Sequence, residues 1–559
     1  MSSLILALSL LVSYTLALPA PSRRFSGRFI NDRLSTIEAR QTVNGSIGLG
    51  DNSDLLYTVP IQLGGTTTSV NLDTGSSDLW VITSDCVANA CANARGMARL
   101  PAATLKTTGG NVTMRYGDSK TGTYASGSLA METASIAGVA IDNQIFAAID
   151  NTTNTVVQFG AAGIFGLGFP SESQIQGAAV INQFGKTGTT DHFVASSYAA
   201  GPLISRIAQS GALEMPMFTI SLQRSTIDIS GNGALTLGTL PPGVDNSSLT
   251  WVPVRLYSPA EGGLTSPTFA PDEVYPLRWE IDLDGVFLDG VEIPASNIPA
   301  TGGVNSTRMS ALIDTGNSIL RGPSDVVTSI LSTISPEYSA DTPDSATLAC
   351  AKAHNLTFKI GGQMFPIDPR DLIGPQSANE AQTCVVDNIV ATDAPGVGAL
   401  FRWSLGDPFM KSNLVAFHYG NLTHPSHDPP KIGFLSQVPS NAAALLTQAV
   451  QDAVEDGGDF ESTLVIAPTA VAAAEAEVTV VASAASLQAA ELTETHVAIV
   501  NPTPAPAAPN AKGQAQSAAP GGKTSTNKKN VAARGLGLWD PRLIAVALGA
   551  AVFTGTGMV

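Results

Sequence analysis

The chain has 559 residues, a formal net charge of −17, a pI near 4.7 and only 13 % charged side chains. Its length permits two large lobes with appendages. So acidic a chain offers no clustered basic face for phosphates, which excludes a nucleic-acid partner, and it suits an acidic workplace where carboxylates discharge.

In chain order, residues 1–17 read as a signal peptide, with an apolar run from Leu4 to Leu18 and a small-residue site at Thr15-Leu16-Ala17. The run stops at Pro19, short of the roughly 20 residues that a bilayer requires. Residues 18–41 carry Arg23, Arg24, Arg28, Arg33 and Arg40, and are predicted to form a removable basic pro-segment lying over an acidic cleft until low pH neutralises it. From Leu55 to Gln437 short apolar strands alternate with Gly, Asn, Asp and Pro, for example Tyr57–Leu63, Ser69–Leu72, Phe218–Leu222 and Trp279–Leu283. Helical periodicity is scarce there. The region reads as a mostly β duplication, with an N-terminal lobe over 42–225 and a C-terminal lobe over 226–438.

Residues 439–500 are rich in Ala, Val, Glu and Thr, with an amphipathic helix predicted over Ala442–Val454. Residues 501–542 form a Pro-, Ala- and Gly-rich stalk. The apolar tail 543–559 has the layout of a GPI-attachment signal, with Asn530-Val531-Ala532 as candidate site and Ala533 to Arg542 as spacer. Four cysteines, Cys86, Cys91, Cys350 and Cys384, suit two disulfides in an oxidising compartment, with three pairings open. Sequons at Asn44, Asn111, Asn151, Asn246, Asn305, Asn355 and Asn421 agree with passage through a glycosylating pathway.

Two segments carry the chemistry: Val70-Asn-Leu-Asp73-Thr-Gly-Ser and Ala311-Leu-Ile-Asp314-Thr-Gly-Asn. Each delivers an Asp from an apolar strand into a tight turn. One such tripeptide is expected by chance about once in ten chains of this length, so two in matching contexts are harder to dismiss. Two carboxylates held about 3 Å apart cannot both ionise and share one proton, so one serves as base and the other as acid toward a water between them. Gly75 and Gly316 let the backbone bend beside the carboxylates, Ser76 places a hydroxyl beside Asp73, and Thr74 and Thr315 are placed to brace the two turns against each other.

On these motifs the chain resembles the pepsin family, in its fungal branch, over roughly residues 50–438, and its tail resembles the GPI-anchored, yapsin-like members in organisation. The resemblance implies an all-β, bilobal pepsin-like fold with a cleft between related lobes, and an aspartic endopeptidase whose catalytic residues are Asp73 and Asp314. Met114 to Gly122 resembles the flap hairpin, which implies that Tyr116 closes over substrate with its hydroxyl near Trp80, and that Gly117 and Asp118 contact the peptide. Gly75, Gly316 and Asn317 are implied to line the substrate site. An acidic residue at 118 is associated in the family with tolerance for Lys or Arg at the scissile bond. Ala162 to Gly168 and Trp403 to Phe409 resemble the strands behind the two turns, and the family's loop disulfides imply the pairs Cys86–Cys91 and Cys350–Cys384.

The departures from the family pattern are Asn317, where Thr or Ser is usual and whose larger amide can still donate to Asp314 but leaves the dyad's acidity open, Asn71 on a cleft wall, Arg278 before Trp279, and His418 where Asp is usual. His418, His424 and His427 lack metal-site spacing, and no metal or cofactor is expected. The expected partners are protein or peptide substrates, met by a monomer that is secreted and retained at the cell surface. The rival reading is a catalytically silent homologue that binds proteins at the surface.

Overall fold

The computed structural model describes residues 45–467 except 95, 186, 187, 305, 306, 342–344 and 378, together with the backbone of 478–480. The predicted signal peptide, pro-segment, stalk and apolar tail, and the sequons at Asn44 and Asn305, lie outside the described residues. No described helix is long and apolar enough to cross a membrane.

Among the described residues the molecule is mostly β, as expected. The first half is built on one large sheet. It holds the strands Tyr57–Leu63, Thr66–Asp73, Leu79–Ile82, Lys106–Tyr116, Thr123–Ile136, Val139–Thr152 and Gly163–Gly166. Alternation explains its edge, since Lys106–Tyr116 turns Val112, Met114 and Tyr116 inward and the residues between them outward. The second half holds a sheet in the order Glu280–Asp282, Ser310–Ile313, Trp403–Leu405, Leu320–Gly322, Ile389–Ala391. A six-stranded sheet takes chain from both halves, running Gly45–Gly48, Ala234–Leu237, Met217–Ser221, Asn413–His418, Lys431–Ser436, Thr250–Pro253.

Over this sheet the halves share an aromatic core. Trp279 packs on Phe169 at 4.2 Å, Tyr419 at 5.0 Å and Phe417 at 5.1 Å between ring centroids. Its indole N–H donates to the Leu167 carbonyl at 2.9 Å, so the two halves are joined just behind the first Asp-Thr-Gly turn. Aromatic rings buried this way contribute both area and geometric preference. A buried ionic cluster gathers residues distant in sequence: Arg224 and Lys411 hold Asp371 at 2.6 and 2.9 Å, and Lys411 also reaches Asp54 at 3.1 Å.

Helices are more prominent than periodicity suggested, at Gln174–Phe184, Thr190–Ala200 and Leu203–Gln209. The first two are started by caps rather than by an apolar stripe: the Ser173 hydroxyl accepts from Gln176 N–H, and Thr189 closes a capping box with His192. The helix expected over 442–454 is present as Ala442–Glu455, burying Ala442, Leu446, Val450 and Ala453. Packed chain extends beyond 438, since Thr463 N–H donates to Ser225 O and Ile227 N–H to Glu461 O. Disulfides join Cys86 to Cys91 and Cys350 to Cys384, as the resemblance implied.

Candidate active site

Asp73 ends the strand Thr66–Asp73 and pairs in parallel with Gly166, while Leu79–Ile82 runs antiparallel to the same neighbour. The second half repeats the construction. Ser310–Ile313 leads into Asp314 beside the parallel strand Trp403–Leu405, against which Leu320–Gly322 runs antiparallel. Each Asp thus leaves the end of a strand that is held from the side by a parallel neighbour.

The two turns lock together through their threonines. Thr74 Oγ1 donates to Ile313 O at 2.8 Å and accepts from Thr315 N–H at 3.0 Å; Thr315 Oγ1 donates to Leu72 O at 2.8 Å and accepts from Thr74 N–H at 3.1 Å. Each hydroxyl therefore donates once and accepts once, all in buried surroundings, which fixes the approach of the two aspartates. Only glycine fits next. A Cβ on Gly75 would lie 2.3 Å from Asp314 Oδ1, and a Cβ on Gly316 would lie 2.3 Å from Asp73 Oδ1.

Asp73 and Asp314 are both 0 % exposed, and each carboxyl packs against the other turn's glycine. Asp73 Oδ1 accepts from Gly75 N–H at 2.8 Å and Oδ2 from Ser76 Oγ at 2.5 Å. Asp314 Oδ1 accepts from Gly316 N–H at 2.9 Å. Burial pushes Asp73 up to about 6 against the pull of Ser76 and Gly75. Burial, and then the facing Asp73, hold Asp314 well above the usual carboxylate range. Such a pair retains a proton at pH values where exposed carboxyls have lost theirs.

The strands Lys106–Tyr116 and Thr123–Ile136 form a hairpin. Its tip turns at Gly117, whose φ of 84° excludes a side chain at low cost, and Tyr116 is held where its hydroxyl accepts from the Trp80 indole N–H at 2.8 Å. Replacing Tyr116 by Phe is expected to leave that buried N–H without its acceptor, a cost of about 1–3 kcal/mol. Faster amide exchange in the hairpin, with the rest of the protein unchanged, is the readout.

The tip is also tied to the second half. Arg321 Nη1 donates to Asp118 Oδ2 at 2.8 Å, and Ser119 donates from N–H and Oγ to Asp393 at 2.9 and 2.7 Å. Asp118 Oδ1 accepts from Lys120 N–H, Thr121 N–H and Thr121 Oγ1. Burial opposes ionisation of Asp118, but these donors and Arg321 outweigh it and hold the carboxyl below its usual range. Arg278, the other unexpected cation, makes a buried pair with Glu172 at 2.5 Å.

The model of the eukaryotic aspartyl protease family matches residues 56–424, well over half of the chain. The chain belongs to that family. Similar proteins include an aspartic protease of Phaffia rhodozyma, 25 % identical over 391 residues, which cover 69 % of this chain and 79 % of that one. Pepsin A of Bos taurus is 26 % identical over 357 residues, or 63 % and 78 % of the two chains, and cathepsin E-B of Xenopus laevis 26 % over 361, or 63 % and 74 %.

In this pepsin-like protease the residues singled out from sequence gather at one place: both aspartates, their Thr-Gly neighbours, Ser76, Trp80 and the hairpin tip. One bond open to the sequence is not made. The Asn317 amide does not donate to Asp314, because its Oδ1 is engaged by Ile319 N–H at 3.3 Å and its Nδ2 is turned to Ser404. Asn71 is buried within its strand opposite Thr58. The His418 ring accepts from Gly420 N–H at 3.1 Å, and His424 faces Glu273 at 3.4 Å. Sequence reading missed Arg321, Asp393 and Ser404, which announce nothing in their own motifs.

Proposed function

We propose that the protein hydrolyses peptide bonds with a water activated between Asp73 and Asp314, working at acid pH outside the cell. The reading rests on one observation, two fully buried carboxyls brought face to face by symmetric, threonine-braced turns. The ionised member takes a proton from the water as its oxygen bonds to the scissile carbonyl carbon. The protonated member gives its proton to the carbonyl oxygen, so a neutral diol forms and the dyad has exchanged its proton between partners. As the diol collapses and the C–N bond breaks, one aspartate gives its proton to the leaving nitrogen while the other takes a proton from a diol hydroxyl, which leaves carboxylic acid, amine and a dyad again holding one proton. Tyr116, Gly117 and Asp118 close over the peptide, and Gly75, Gly316 and the backbone around Asn317 line its path.

Extracellular work is supported by the two disulfides and by exposure of all five described sequons, at Asn111, Asn151, Asn246, Asn355 and Asn421. With the apolar tail at 543–559 this favours a glycosylated, GPI-held enzyme, made with a signal peptide and a basic pro-segment. Purified protein is expected to cleave an unfolded polypeptide at acid pH and to be stopped by pepstatin. Binding of the polypeptide without cleavage would instead mark a silent surface binder.

Mapping the cut sites by mass spectrometry tests the hairpin tip. Arg321 already satisfies Asp118, so wild type is expected to show no enrichment of Lys or Arg at the scissile bond, and Arg321→Ala to acquire it. Enrichment already present in wild type would mean that substrate displaces Arg321.

A further inference from the structure

The two Asp-Thr-Gly turns differ in how the outer carboxylate oxygen is held. In the first, the residue three positions after the aspartate supplies the donor directly: Ser76 Oγ lies 2.5 Å from Asp73 Oδ2. In the second, the same position is Asn317, fully buried, and its amide faces away from Asp314. Its orientation is set at one end, where Oδ1 accepts from Ile319 N–H at 3.3 Å. That leaves Nδ2 directed at Ser404, whose Oγ it meets at 2.9 Å and whose carbonyl it meets at 3.4 Å.

Ser404 lies on the strand Trp403–Leu405, paired in register with Leu312, two residues before Asp314. Its side chain is 0 % exposed, and its Oγ is 3.3 Å from Asp314 Oδ2. A hydroxyl has one proton to give. Because the Asn317 N–H occupies a lone pair of this oxygen, the Ser404 proton is left to point at Asp314. Amide, hydroxyl and carboxylate then form a short chain in which each bond polarises the next.

We propose that Ser404, oriented by Asn317, is the positioning residue for Asp314, doing through a two-residue relay what Ser76 does directly for Asp73. The sequence thus replaces a hydroxyl on the turn by an amide, and restores the hydroxyl from the neighbouring strand. The inference rests on Asp73 and Asp314 acting as the dyad.

The test compares wild type, Ser404→Ala, Asn317→Ser with Ser404→Ala, and Ser76→Ala as reference, all by pH profiles of kcat and KM on one peptide. Loss of a hydrogen bond to a charged group predicts a fall in kcat of about 10-fold to 100-fold for Ser404→Ala. KM is expected to be unchanged, and the profile to move toward higher pH because the pair then binds protons more tightly. In the double variant a hydroxyl stands three positions after Asp314, as Ser76 does after Asp73, and the wild-type profile and most of kcat are expected to return. A profile that stays in place in Ser404→Ala, or one that the hydroxyl at position 317 fails to restore, would overturn the relay. If Ser76→Ala is also silent, the dyad reading fails instead.

Discussion

Asp73→Asn and Asp314→Asn are each expected to lower kcat by about 10³-fold or more, at the upper end of what general acid–base groups supply. The substitution is isosteric, so the contacts that exclude any side chain at Gly75 and Gly316 are not disturbed. Each aspartate serves the other as well as the substrate. Remove either and the shared proton has no partner, so Asp73→Asn combined with Asp314→Asn is expected to be no slower than the worse single variant. Folding is separable from chemistry here: Asp73, held at about 6 by burial, is ionised at an energetic cost at neutral pH, and an amide is not. The melting midpoint of Asp73→Asn at pH 7 should therefore equal or exceed that of wild type. A single variant keeping a tenth of wild-type kcat would remove both aspartates from the mechanism proposed above.

The parts of this site legible in the sequence are those whose requirements are local. A turn that brings two carboxyls together needs Gly beside each Asp and a small hydroxylated residue between them, and Asp73-Thr74-Gly75 and Asp314-Thr315-Gly316 spell that out twice. The tip Tyr116-Gly117-Asp118 is similarly local, because Gly117 must adopt a positive φ. What stayed hidden is carried by pairs remote in sequence. Arg321 and Asp118 are 203 residues apart, and Asn317 and Ser404 are 87 apart. A serine inside an apolar strand, such as Ser404, reads as an interruption of a β pattern until its partner is known. The same holds for the fold: strand periodicity marks the sheets, but the six-stranded sheet that joins Gly45–Gly48 to Ala234–Leu237 depends on register between distant segments. Helices begun by Ser173 and Thr189 carry their signal in the caps and not in a stripe, so a search for period 3.6 passes over them.

Thermal stability is expected to peak in acid, near pH 4, and to fall toward neutrality. A carboxyl that binds its proton more tightly in the fold than in the unfolded chain stabilises the fold below its unfolded pKa, and gives that up as pH rises through the folded value. Burial raises Asp78 from 3.8 to about 6, although it sits at the start of the helix Gln174–Phe184, accepting from Ser173 Oγ–H and Gln174 N–H. Burial raises Asp73 to the same level, and burial also raises Asp51 and Asp407. Asp371 works in the opposite sense: burial is outweighed by Arg224 and Lys411, which hold it at about 2, so its contribution is present above the unfolded value and lost only as pH falls through about 2. The two opposing slopes meet near the unfolded carboxylate value, close to pH 4. Two groups shifted upward by about two pH units each correspond to a decrease on the order of 5 kcal/mol from pH 4 to pH 7, and to a drop in melting midpoint of about 5 °C for a fold of this size. Scanning calorimetry at the two pH values reads this directly, and Asp78→Asn should flatten the slope by removing one of the groups that must lose a proton. A midpoint at pH 7 equal to or above that at pH 4 would mean that these carboxyls are ionised in the fold at no cost, and the acid bias of both the stability and the dyad would go with it.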